Sequence, residues 1–257
     1  MSANLTFGPP GQEWHYSRTS KTYDLSGSSS SSSPQKLTIA ATEGPEGTSF
    51  TIAPEATALV IIDMQNFFLD KRCMEHPNGV GAVGPIIEVI EKCREAGIQI
   101  IWLNWALTAQ DLTTLPAGIK RGFMKNILQP STSTDSSPLH SYTGLGSDLG
   151  GSRGRCLVAG SWNADIYGPL KTQVQDSDLH CAKNRMSGLW RREQALWGVL
   201  GERGVRTVLF AGVNTDQCVL GTLVDAYNAG WNCVLVDDCC GTTTKGAKEV
   251  TLSNVAV

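Results

Sequence analysis

The chain has 257 residues, 41% of them hydrophobic, which is enough apolar material for a substantial core and excludes wholesale disorder. Twenty-one Lys and Arg against 24 Asp and Glu leave a formal net charge of -3, without the basic surplus that a phosphate backbone draws on, so no nucleic-acid partner is expected. No apolar run reaches the roughly 20 residues of a membrane span, and the opening MSANLTFGPPGQEW lacks the regions of a signal peptide, so a cytoplasmic chain with no membrane partner is expected.

Residues 1–56 read as an N-terminal extension. Gly8-Pro9-Pro10-Gly11 stands near the start, and an unbroken serine run from Ser28 to Ser33 reads as a flexible insert. Leu37-Thr38-Ile39 and Phe50-Thr51-Ile52 each alternate like a short strand around a turn at Glu43 to Gly47, which predicts a hairpin or arm. From 57 to 257 short β-branched runs alternate with helical stretches, the pattern of βαβ units, and the predicted fold class is α/β with a central, mostly parallel sheet.

Within that region Ala58 to Ile62 is apolar throughout, as a strand covered on both faces requires, and Ile86 to Ala96 is helical in pattern up to Gly97. Strands are predicted at Ile98 to Leu103, Cys156 to Val158, Val205 to Ala211 and Cys233 to Val236. Helices are predicted over Leu189 to Arg203 and Asp216 to Asn228, with an irregular region including Ser131 to Ser137 before them. The chain ends at Val257 inside a helical pattern, so a further strand or tail is expected beyond it.

Three positions can carry chemistry. Asp63 directly follows a central strand, and in an open α/β sheet the carboxyl ends of strands line the ligand crevice; a turn or helix cap is the other reading. Cys218 arrives in the first turn of a helix after a strand, where free N–H groups and the dipole favour a thiolate, while a buried core thiol is the alternative. Lys183 precedes a predicted helix, and is either an ordinary solvated lysine or the partner of a thiol and a carboxylate. With eight Cys, no export signal and no CxxC spacing, free thiols are expected rather than disulfides.

Taken together, Leu59-Val60-Ile61-Ile62-Asp63-Met64-Gln65-Asn66-Phe67-Phe68, then Lys183, then Ala211-Gly212-Val213-Asn214-Thr215-Asp216-Gln217-Cys218-Val219 resembles the isochorismatase-like cysteine hydrolases. The resemblance implies a three-layer αβα sandwich, a catalytic triad of Asp63, Lys183 and Cys218, and an oxyanion hole of backbone N–H groups at Asn214 and Cys218. It also implies a cis peptide at Val213-Asn214, no cofactor, and a homo-oligomer, dimer or tetramer. Nicotinamidases of this superfamily bind a metal through an Asp-x-His pattern, but here the corresponding stretch reads Leu103-Asn104-Trp105-Ala106-Leu107-Thr108, so no metal is expected. The implied activity is cleavage of a C–N bond in a small amide, ureido or carbamoyl compound through a thioester. A vinyl-ether hydrolase and a non-catalytic binding protein of the same fold are the alternatives. Gln65, Asn66, Phe68 and Trp105 flank the implied site as candidate substrate contacts, with core packing or a turn as their other readings.

Overall fold

The structure, a computed structural model, describes residues 4–27, 35–42, 47–124 and 143–256. The serine run, most of the turn at 43–47 and the Ser131 to Ser137 stretch lie outside the described residues. Strands β1 (Asn4–Phe7), β2 (Trp14–Ser17), β3 (Thr22–Asp24), β4 (Leu37–Ala40) and β5 (Ser49–Ile52) form one sheet in the order β1-β2-β3-β5-β4. The two strands read from the sequence, β4 and β5, pair antiparallel with Leu37 opposite Ile52. Strands β1 to β3 escaped the sequence pattern because they are short and none of their residues is fully buried, so no apolar alternation marks them.

The second sheet holds β6 (Thr57–Ile62), β7 (Gln99–Trp105), β8 (Leu179–Lys183), β9 (Thr207–Val213) and β10 (Asn232–Gly241) in the order β10-β9-β6-β7-β8. Every neighbouring pair in it is parallel. The inner strands β6 and β9 are buried at every residue, which accounts for their continuous apolar sequences. From β6 the chain builds outward through β7 to β8, then crosses to the other side through β9 to β10. The reversal of direction falls between β6 and β9, where open α/β sheets place their ligand crevice.

Helices α1 (Asn66–Leu69), α2 (Pro77–Gly81), α3 (Val83–Ala96), α4 (Ala109–Thr114), α5 (Ala117–Gly122), α6 (Gly168–Lys171), α7 (Ala195–Glu202), α8 (Leu220–Ala229) and α9 (Ala247–Val255) flank this sheet in the αβα arrangement. Helix α3 buries Ile86, Ile90 and Cys93, spaced four and three residues apart on one face, and stops at Gly97, whose φ of 80° is the left-handed end cap that glycine adopts without strain.

Two sequence-level elements change place. Cys156 to Val158 is no strand of the sheet: Val158 makes an isolated bridge to Leu107, and the fifth strand is β8 instead. As an edge strand of five residues with His180 and Ala182 exposed, β8 lacks an apolar signature. The helix read from Leu189 to Arg203 starts only at α7, because 189–194 is spent in turns, one closed by the Gln194 N–H on the Arg191 carbonyl.

Candidate active site

The carboxyl ends of β6, β8 and β9 converge at the reversal point. Asp63 leaves β6 with φ 54°, a left-handed conformation that Asp tolerates better than most residues, and its N–H donates to the Leu103 carbonyl at 2.9 Å. On the neighbouring strand Gly212 pairs with Ile62 at φ 118°, and a Cβ there would collide with the Ile62 backbone, so only glycine lets the two strand ends approach this closely.

The Val213-Asn214 peptide that follows is cis. The Asn214 carbonyl accepts the N–H groups of Gln217 at 3.0 Å and Val219 at 3.2 Å, which opens a wide π turn over Thr215–Val219 before α8. Cys218 sits on this turn, 8% exposed, and its own N–H, between those two, is not spent on the Asn214 carbonyl. From the other side the Thr222 hydroxyl donates to the Cys218 carbonyl at 2.7 Å and accepts the Gly188 N–H at 3.1 Å, so the turn is tied to the segment after β8.

Lys183 is the last residue of β8 and is 1% exposed. Its ammonium lies 2.9 Å from Asp63 Oδ2 and 3.4 Å from Cys218 Sγ, donates to the Arg185 carbonyl at 3.1 Å, and sits 4.1 Å from the Trp105 ring centroid. A lysine this buried is tolerable only because carboxylate, carbonyl and aromatic face all compensate its charge. Burial raises the Asp63 carboxyl above the usual carboxylate range, against the opposing pull of the Lys183 ammonium. Burial likewise pushes the Cys218 thiol up to about 12, the Asp63 charge adds to that rise, and Lys183 opposes it. The thiol is therefore protonated beside a carboxylate held in an ion pair, which is a base next to the proton it would remove.

The other sequence candidates separate by what they touch. Gln65 is fully buried and its amide is spent on main chain: Nε2 donates to the carbonyls of Trp105 at 2.8 Å and Ala164, and Oε1 accepts the Trp105 N–H at 3.1 Å. Asn66 donates to the Trp162 carbonyl at 2.8 Å, and Phe68 packs edge-on against Phe67 in the core. These contacts tie Gln65 and Asn66 to the main chain of the loops around the site and Phe68 to the core. Trp105 differs, since its ring lies under the Lys183 ammonium.

The sequence reading missed His76. This histidine is 2% exposed; its Nδ1 accepts the Gly79 N–H at 2.9 Å, which leaves Nε2 as the protonated nitrogen that donates to Asn214 Oδ1 at 2.5 Å. The signal was its place as cap before Pro77, at the first helical position of α2.

Comparison with known proteins agrees with this architecture. Residues 57–256 match the Isochorismatase domain family. A ureidoacrylate amidohydrolase RutB from Acinetobacter baylyi is 29% identical over 199 residues, covering 74% of this chain and 72% of the relative. Its counterpart from Caulobacter segnis is 28% identical over 182 residues, 68% of each chain. Among solved structures, a cysteine hydrolase from Pseudomonas syringae pv. phaseolicola superposes with a TM-score of 0.61 at 18% identity, over 80% of this chain and 86% of that one. An N-carbamoylsarcosine amidase from Thermoplasma acidophilum does so with a TM-score of 0.55 at 20% identity, over 78% and 92%. With a match over residues 57–256 and the parallel sheet that goes with it, the chain belongs to the isochorismatase domain family.

Proposed function

We propose that the protein is a cysteine hydrolase that cleaves a C–N bond of a small carboxamide, ureido or carbamoyl compound. The observation that carries this reading is the buried cluster in which one ammonium lies 2.9 Å from Asp63 and 3.4 Å from the Cys218 sulfur. The names of the relatives, ureidoacrylate amidohydrolases and an N-carbamoylsarcosine amidase, support the same bond type.

Asp63 takes the proton from Cys218 as the sulfur attacks the substrate carbonyl, and Lys183 balances the negative charge passing between the two. Backbone N–H groups at the π turn, that of Cys218 first, face the oxyanion of the tetrahedral intermediate, each donor of this kind being worth about 3 kcal/mol. Asp63 then returns the proton to the departing nitrogen, which leaves as ammonia or an amine, and a thioester remains on Cys218. Water, deprotonated by Asp63, attacks the thioester, releases the acid and restores the thiol. No group beyond the three side chains and water enters the balance.

The test is ammonia release from a panel of small ureido compounds and carboxamides, with isochorismate consumption followed in parallel, for the intact protein and Cys218→Ala. We expect release that falls at least about a thousandfold in the variant while circular dichroism and thermal unfolding stay unchanged. Release retained without the thiol, or consumption of isochorismate alone, would overturn the proposal.

A further inference from the structure

Trp105 is 1% exposed, and its indole N–H is a buried donor that makes no hydrogen bond. A donor shut away from water without an acceptor costs free energy and calls for a reason. The surroundings supply one. The Lys183 ammonium lies 4.1 Å from the centre of this ring and 3.4 Å from the Cys218 sulfur, so ring and sulfur border the same charge. The Trp105 side chain acts on Cys218 as a hydrogen-bond donor does, favouring the thiolate over the thiol. One residue thus acts on two members of the cluster: on the ammonium by its ring face and on the sulfur by its side-chain donor.

Two neighbours hold it there. Gln65 clamps the Trp105 main chain from both sides, and Phe123 packs edge-on against the ring at a centroid separation of 5.1 Å. A neutral thiol is a poor acceptor, so the N–H goes unused while Cys218 is protonated. A thiolate is a strong one.

We infer that Trp105 is a further catalytic residue, whose indole N–H donates to the Cys218 sulfur as it becomes a thiolate and whose ring face keeps the Lys183 ammonium in place between the two charges. The inference rests on the reading of Cys218 as a nucleophile, but its test needs no turnover.

The test is the rate of Cys218 alkylation by iodoacetamide at neutral pH, followed by peptide mass mapping so that the other cysteines serve as internal controls. Trp105→Phe keeps an aromatic face under Lys183 and removes the N–H. Replacement of Trp105 by benzothienylalanine keeps the whole bicyclic shape and puts sulfur where the N–H stood, so it guards against mere loss of packing. We expect both to alkylate Cys218 about tenfold more slowly, the equivalent of about one pK unit in the thiol, with the other cysteines unaffected. Trp105→Leu, which also removes the face under the ammonium, should be slower still. Alkylation at the unmodified rate in the benzothienylalanine protein overturns the inference. Because labelling and ammonia release are read separately, a protein that shows the Trp105 dependence but hydrolyses no amide keeps this inference and loses the proposed reaction.

Discussion

At the scale of single residues the site is governed by one buried ion pair. With Lys183 removed, Asp63 is left 1% exposed with no cation beside it, and breaking a buried pair from one side costs about 3–5 kcal/mol. We therefore expect Lys183→Met to lose about 3 kcal/mol of stability at neutral pH, measured by urea unfolding. The loss should depend on pH with a definite sign. Burial already raises the Asp63 carboxyl, and without the ammonium the largest opposing influence is gone. A carboxyl whose folded value lies above its unfolded one takes up a proton on folding, so its contribution is full in acid and is lost as pH rises through the folded value. The variant should approach wild-type stability in mild acid and fall furthest behind at alkaline pH. A deficit equal at both ends would mean that Asp63 is not the group responding.

At the scale of elements, helix α2 and its cap act as a latch on the turn that carries Cys218. His76 reaches Asn214, and two residues further on Asn78 donates to the Thr242 carbonyl at 2.8 Å, beyond the end of β10. His76→Phe leaves the Gly79 N–H and Asn214 Oδ1 without partners in a buried place, which should cost about 2 kcal/mol and lower kcat with little change in KM. A variant equal to wild type in both unfolding and kcat would remove the latch from the account. What could be read from the sequence follows the same elements. The strands β6 and β9 announce themselves because both faces are covered, and the residues after them, Asp63 and Cys218, inherit their places at the crevice from that. Strand β8 was invisible because an edge strand needs no apolar run, so Lys183 was found only through its motif. The bracing role of Gln65 was out of reach, since its partners lie 40 and 99 residues along the chain. Trp105 could be placed near the site from its position just past the predicted strand Ile98 to Leu103, but not the orientation of its ring.

At the scale of the whole molecule, the N-terminal sheet joins the domain at the opposite end from the chemistry. Trp14 Nε1 donates to Asn232 Oδ1 at 2.7 Å, and the same amide donates to the Leu25 carbonyl at 3.2 Å and the Thr207 hydroxyl at 3.1 Å. Asn232 and Thr207 are the first residues of β10 and β9, while the candidate site stands at the far ends, about 20 Å away along a seven-residue strand. We expect Trp14→Phe to lower stability by about 1–2 kcal/mol in urea unfolding while leaving kcat and KM as they are; a change in substrate preference would place the sheet nearer the crevice than the register allows. The family match begins at residue 57, so this sheet stands outside it. Because the sheet is anchored at the starts of the strands, whatever is attached to it, an affinity tag, a fluorophore or a surface linker, has the length of the parallel strands between it and the candidate site.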